Sequence, residues 1–392
     1  MCRILLRELA RLNIGLDVYS ECTAVDIPEL KEAARLGNVR FFAFTYEWNW
    51  SRWYGRNRKV AFVISFLKRM RIRRGMVRAL VAEHRRKPYD VVIQFSQAEL
   101  LGLGRYVDEF PIILFPCVHA AGELYWCRRE EHLARRCEPL MWRRVRNLYL
   151  AYRARLQRRD YKRARGVLGM SRRFNKWVEK DYGLPTDRMG VVYQPIDILA
   201  NEDSTCRRSS TNVRLLFVGR ISVRKGIDLL VSLLPELLRD EPDVEVTLIG
   251  AGSLWSSYEP LLASLPTERC RWLRSLPNDQ VIEEMRRSDI LLVPSYYEPG
   301  GIVVAEALAN GVIVVGSDEV GSAEALPAEV CVEFAAGDMK GFGCAVAEAV
   351  ARVRKMGPTL RVRAKEAALR HFSPDAMAQA LLGEVQRLLA RA

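Results

Sequence analysis

The chain has 392 residues, 49% of them apolar, and a formal net charge of +14. That length suits two domains, and that apolar content suits packed cores and excludes a disordered chain. Apolar runs such as 60–67 fall far short of the roughly 20 residues of a membrane span, and residues 1–10 alternate like a surface helix and unlike a secretory leader. The expectation is a protein made in the cytoplasm, soluble or peripheral at the inner face of a membrane.

The charge is unevenly divided. Residues 1–200 hold 39 Lys/Arg against 21 Asp/Glu, and the remainder 22 against 26. A basic first half beside a weakly acidic second half points to an anionic partner for the first half alone. Nine cysteines, an odd number with no C-x-x-C, argue for reduced thiols and against a disulfide framework. Cys127, His132 and Cys137 match no zinc spacing and read as structural.

Strand and helix patterns alternate along the chain, which implies parallel sheets covered by helices. Strands are expected at 14–19, 39–44, 90–95, 112–118, 167–170 and 191–193, with long basic helices at 58–87 and 138–165. Trp48, Trp50, Trp53 and Tyr54 adjoin the basic run 52–87. Amphipathic aromatics beside cations suit a lipid headgroup layer; a solvated basic helix face with buried aromatics is the alternative. Nothing resembles a nucleic-acid module, so no nucleic-acid partner is expected. Ligands of parallel sheets bind beyond the carboxyl ends of the strands. His119 follows the strand at 112–118 on the cleft side and is a catalytic candidate, though a lone His at a strand end is more often structural; Gln94, Ser96 and Gln97 end the strand before it and are candidates for the acceptor side. For the last three, ordinary loop polarity is an equal reading.

Residues 200–212, ANEDSTCRRSSTN, are polar and read as a linker. A second set follows, with strands at 214–218, 244–249, 290–293 and 312–316 and helices at 227–239, 279–287 and 303–309. An amphipathic helix at 376–389 closes the chain. The fold class is therefore α/β, with two doubly wound Rossmann-like domains (1–199 and 213–374) across a cleft. The closing segment 375–392 is expected to pack back on the first domain.

Three segments of the second domain carry chemistry. In FVGRISVRKG (217–226), a strand ends, Gly219 turns, and Arg220 and Lys225 make an anion site; Arg224 assists them or faces water. IGAGS (249–253) is a further glycine turn, with Gly250 and Gly252, and a weak signal alone. In PSYYEPGGIVVAEALANG (294–311), Gly300 and Gly301 permit close backbone approach to a ligand. The free amides and dipole of the helix start at Ile302 and Val303 suit a phosphate. Glu298 and Glu306 would repel a phosphate but accept hydrogen bonds from hydroxyls, so sugar hydroxyls are their natural partners. The chain has no D-x-D. Fixed cations and a helix end take the place of a divalent ion, and no metal or other cofactor is expected.

Together VGR-x4-KG, IGAG, RSLPNDQVIEEMRRSDILLVPS and an E-x7-E followed by EALANG resemble glycosyltransferase family four, the retaining group with the GT-B fold. The resemblance is close over 214–321 and looser over MSRRF…YGLP…VVYQPID (170–197). It implies a nucleotide-sugar donor on the second domain and a glycan or lipid-linked acceptor on the first. Arg220 and Lys225 would bind the donor diphosphate, Glu306 the ribose, and Glu298 the transferred sugar. Amides around Gly301, Ile302 and Val303 would hold sugar and phosphate, and His119 would lie near the reacting sugar. Gly300 and Ile302 stand where the family often has Phe and Leu, which bears on donor-sugar preference. The family opens with an apolar strand and a glycine-rich turn, whereas this sequence opens inside the first helix; either the start is assigned too late or the first domain lacks its first strand. The resemblance implies a metal-independent hexosyltransferase of polysaccharide or glycoconjugate synthesis. A catalytically impaired GT-B scaffold subunit and a GT-B epimerase or phosphorylase are the alternatives.

Overall fold

The computed structural model describes residues 2–20, 28–44, 58–95, 103–106, 108–117, 119–197, 212–252 and 258–390. Trp48, Trp50, Trp53, Tyr54, Ser96, Gln97 and nearly all of the expected linker lie outside the described residues.

The first domain runs α1 (Cys2–Arg11), β1 (Leu16–Ser20), α2 (Pro28–Arg35), β2 (Val39–Ala43), α3 (Arg58–Arg86), β3 (Val92–Phe95) and β4 (Ile112–Phe115). Then come α4 (Ala120–Arg129), α5 (Glu131–Cys137), α6 (Leu140–Arg163), β5 (Gly166–Gly169), α7 (Arg172–Tyr182) and β6 (Met189–Val191). All its strand pairs are parallel, in two ladders, β1–β2 and β3-β4-β5-β6. Among the described residues β1 and β3 are not paired, although Leu16 packs in one core with Val91 and Ile93. In a doubly wound order of 3-2-1-4-5 the central strand stands at that interruption.

The second domain runs β7 (Val213–Val218), α8 (Ile227–Asp240), β8 (Val244–Ile249), β9 (Cys270–Leu273), α9 (Asn278–Arg287), β10 (Ile290–Val293), α10 (Ile302–Ala309), β11 (Ile313–Ser317), β12 (Cys331–Phe334), α11 (Met339–Phe372) and α12 (Pro374–Ala390). Its six parallel strands are ordered β12-β11-β10-β7-β8-β9. Chain order reverses between β7 and β10, so the loops leaving those two neighbours diverge and open a crevice, the switch point where such sheets bind ligands. The buried positions of β7 and β10 are all apolar, and those of β8 all but Thr247, because helices cover both faces.

Leu381, Val385 and Leu388 of α12 pack with Leu5 and Leu9 of α1 against Ile113, Phe115 and Leu168, so the closing helix covers one face of the first domain's sheet. The opposite face is covered by α3, the end of α6, and α7, through Val77, Leu80, Tyr161, Phe174 and Val178.

The domains are joined by a polar seam at the start of α7. The Glu324 carboxylate, from the second domain, accepts from the backbone N–H groups of Arg172 (2.5 Å) and Arg173 (2.8 Å). These are donors that a helix start leaves without intrahelical partners. The hydroxyl of Tyr193 donates to the same carboxylate at 2.9 Å, Arg173 pairs with Glu333 at 2.7 Å, and Ser171 Oγ donates to the Pro299 carbonyl at 2.9 Å. We expect Glu324→Ala to lower the free energy of urea unfolding by about 2 kcal/mol, the loss of a charged helix cap. A change below about 0.5 kcal/mol would mean that the seam is solvated and carries little of the interface.

Candidate functional site

The two loops that leave the switch point are held together by backbone. The Tyr296 N–H, from the loop after β10, donates to the Arg224 carbonyl of the loop after β7 at 2.9 Å, and the Ile221 N–H ties the β7 loop in turn to the loop after β8, at the Ala251 carbonyl (3.0 Å). Gly226 has φ +72°, and a Cβ there would lie 1.9 Å from the Pro294 carbonyl oxygen, so only glycine lets the two loops close. Gly250 is constrained in the same way against the Gly219 carbonyl. The N–H of Gly252 is already taken by the Glu259 carboxylate at 2.9 Å.

The β7 loop presents two cations of different standing. Arg220 is exposed and has no hydrogen bond or ion pair among the described residues. Lys225 is largely buried and pairs with the Glu298 carboxylate. Arg224, which the sequence left between assisting and facing water, turns inward: its guanidinium donates to the Tyr297 carbonyl at 2.7 Å and stands 3.5 Å from Glu298.

From the β10 side, Gly301 (φ +78°) caps α10 in the left-handed conformation and starts the helix with no side chain in front of it. Glu298 occupies the space before that helix. Burial alone would raise its pKa, but Lys225, Arg224 and the Gly301 N–H outweigh burial and hold it below the ordinary carboxylate value. An internal carboxylate therefore sits on the cations and the helix start that the sequence assigned to an anion. Glu306, one turn further on, is half-buried, accepts no hydrogen bond among the described residues, and has its pKa raised by burial. A carboxylate so placed is an acceptor for hydroxyl donors. Ile302 is exposed, Val303 is half-buried, and Gly300 sits against Gln194 and Met170 of the first domain.

The first-domain candidates stand differently from expectation. Gln94 is buried within β3, paired in register with Leu114, and does not present its amide to a cleft. His119 lies at the domain junction but is fully buried. It caps α4, its Nδ1 accepting from the Gly122 N–H at 3.2 Å, and it packs against Tyr182 (4.9 Å between ring centres) and Tyr297 of the second domain (6.3 Å). The expected open cleft is filled at this point because Tyr297, which sequence reasoning passed over, is fully buried against His119 and Gly122. The adjacent tyrosines 296 and 297 after an apolar strand were the signal that aromatics close this junction.

Among the described residues no three His, Cys, Asp or Glu side chains stand together as a metal site. Burial pushes the Cys127 thiol up to about 11, so it stays protonated. A cavity of about 650 Å³ lies at the other end of the first sheet, where Arg163, Arg165 and Arg188 face Asp108 and Asp187, and a second of about 550 Å³ runs along α4 beside Leu124 and Tyr125. Neither is lined by the switch-point residues, so the chemistry argued above rests on side-chain convergence and not on cavity size.

Two outcomes follow from this geometry. Removing the Glu298 charge while keeping its shape, Glu298→Gln, should tighten inorganic pyrophosphate binding on the order of tenfold by calorimetry, because the same cations no longer carry a counterion; unchanged or weaker binding would separate the carboxylate from the anion site. Burial lowers the His119 pKa to about 3 from 6.5. The neutral ring thus favours the fold fully above pH 6.5, and that contribution is lost as pH falls toward 3. His119→Asn keeps a capping side chain that does not titrate, so its stability should fall less steeply than wild type over that window; parallel pH profiles would contradict this.

Comparison with known proteins bears on the same residues. A family model described as Glycosyl transferases group 1 matches residues 206–331. An uncharacterized glycosyltransferase of Methanocaldococcus jannaschii is 30% identical over 176 residues, 42% of this chain and 45% of that protein. The chain spans less than half the length of the first curated relatives it matches. Among solved structures, sucrose-phosphate synthase from Thermosynechococcus elongatus superposes with a TM-score of 0.64 at 17% identity, covering 97% of this chain and 96% of that one. Anabaena HepE, solved in complex with UDP and glucose, gives 0.61 at 16% identity, covering 98% and 95%. This chain therefore has the GT-B fold, and its residues 206–331 match the model of the group 1 glycosyl transferases.

Proposed function

We propose that the chain is a glycosyltransferase that moves a sugar from a nucleoside-diphosphate donor to a glycan or lipid-linked acceptor, with retention of configuration and without a metal. The observation that carries this reading is the convergence at the switch point of Arg220, which has no ion pair among the described residues, the largely buried Lys225, the start of α10 and the half-buried Glu306, which accepts no hydrogen bond among them. A diphosphate matches the two cations and the helix end, and ribose hydroxyls match Glu306, one helical turn away. The HepE structure with UDP and glucose lends the same reading weight by fold.

In this mechanism the donor pyrophosphate displaces Glu298 from Lys225. The freed carboxylate then accepts from hydroxyls of the transferred sugar, whose departing diphosphate gathers charge on its outer phosphate. Arg220, Lys225 and the amides of Ile302 and Val303 stabilise that charge from fixed positions, which is where preorganised groups contribute most. His119 acts here as a positioning residue: its ring caps the start of α4 and packs against Tyr297, which closes the junction beside the site. The acceptor enters from the first domain.

One observation favours a second reading, a GT-B binding subunit that takes donor without turnover: among the described residues β1 and β3 of the first domain are not paired, on the acceptor side. Calorimetry and donor turnover separate the two. Across UDP-, GDP- and ADP-sugars with EDTA present, the transferase reading expects binding and release of nucleoside diphosphate, and Arg220→Ala should lower kcat/KM roughly a hundredfold with the fold unchanged. Binding without release for every donor would favour the binding subunit. Turnover abolished by EDTA, or turnover of Arg220→Ala within about twofold of wild type, would overturn the metal-free cation mechanism.

A further inference from the structure

The carboxyl ends of the first domain's strands meet the second domain, through Met170 and Ser171 after β5. The cavity of about 650 Å³ lies at the other end of the same sheet. Its walls are the turns that enter β4, β5 and β6, at 108–111, 163–165 and 187–188, together with the last turn of α12. That volume suits a small molecule.

Three guanidinium groups reach the cavity from different turns, and two of them are fixed by backbone. Arg165 donates to the carbonyls of Leu388 (3.3 Å) and Leu389 (2.9 Å), and Arg188 to those of Lys162 (3.1 Å) and Ala164. These are carbonyls that the ends of α12 and α6 leave without intrahelical partners. Such anchors are neutral, so they orient the two cations without cancelling their charge. Neither arginine has an ion pair among the described residues, and Nη1 of each has no partner there. Arg163 is exposed and stands 3.7 Å from Asp108, too far for a hydrogen bond.

The carboxylates differ in standing. Glu109 is turned to Arg85, at 3.0 Å. Asp108 and Asp187 remain at the rim, both exposed. Phe110, Pro111, Leu388 and Leu389 add an apolar wall. Oriented guanidinium groups grip phosphate oxygens, carboxylates accept from hydroxyls, and an apolar wall covers a carbon skeleton. One molecule that uses all three is a phosphate ester of a polyol.

We propose that this cavity binds a small phosphorylated sugar, with the phosphate among Arg163, Arg165 and Arg188 and the hydroxyls on Asp108 and Asp187. The helix α12 follows α11 of the second domain and ends here, where Arg387 donates to the Asp187 carbonyl at 3.0 Å. A bound ligand therefore adds ties between the end of α12 and the first domain. No lining residue belongs to the switch point, and the proposal stands or falls apart from the transferase reading.

Titration calorimetry on the full chain tests it, with glucose 6-phosphate, glucose and inorganic phosphate as probes. Wild type should bind glucose 6-phosphate, bind inorganic phosphate about tenfold or more weakly, and show no binding of glucose. Arg163→Glu should lose about tenfold or more in affinity, and so should Arg188→Lys, which keeps the charge but not the fork. Arg220→Ala, at the switch point, should bind as wild type does. Circular dichroism checks the fold of each variant. Hydrogen exchange should slow on binding in the turns before β4 and β6 and at the end of α12. Absence of binding, equal affinity for glucose 6-phosphate and inorganic phosphate, wild-type affinity in both Arg163→Glu and Arg188→Lys, or loss of binding in Arg220→Ala would overturn the proposal.

Discussion

The ion pair between Lys225 and Glu298 is the contact on which the second domain's site is organised. It ties the loop after β7 to the loop after β10, at the one place in the sheet where chain order reverses. Arg224 and the Gly301 N–H support the same carboxylate, so a cation from one loop and a helix start from the other are brought to one point. A buried charge pair of this kind is a poor source of net stability, because desolvation offsets its attraction. Its value is in placement. The carboxylate keeps the positive groups where they are, and any ligand that replaces it must itself be an anion with comparable reach. Arg220 has no such counterion among the described residues and is exposed.

The seam between the domains has a different chemistry. Glu324 caps α7 through two backbone donors, and Tyr193, Arg173 and Ser171 surround that contact with further hydrogen bonds. Beside it the interface becomes aromatic, with Tyr297 against His119 and with Trp126 of α4 ranged against Tyr296 at 5.2 Å. A nucleotide reaching Arg220 does not have to part these rings, but a group reaching His119 does. On the proposed function, donor binding is local to the β7 and β10 loops, whereas His119 is reached only past these rings.

Much of the architecture was legible in the sequence because parallel strands covered on both faces are short continuous apolar runs. The strands at 244–249 and 290–293 were read with the limits they have, and the helix at 227–239 ends one residue later in the structure. What escaped notice had weaker patterns. The strand β9 is four residues long at a sheet edge with only Cys270 buried, and α11 is two helical stretches that meet at Met356, whose backbone is not helical, just before Gly357 and Pro358. In the site, the glycines and cations were legible because their local geometry is dictated by residue type. The partners of Glu298 and the burial of His119 were not, because both depend on which residue of the other loop or domain lies opposite. Sequence spacing fixes the direction of a strand end but not what fills the space beyond it.

The most direct test of the account is a crystal structure with a nucleoside diphosphate bound. The pyrophosphate should lie between Arg220, Lys225 and the amides at the start of α10, with the ribose at Glu306 and the Glu298 carboxylate moved off Lys225. A ligand bound elsewhere, or one bound here with the Lys225–Glu298 pair intact, would contradict the claim that this carboxylate holds a diphosphate's place.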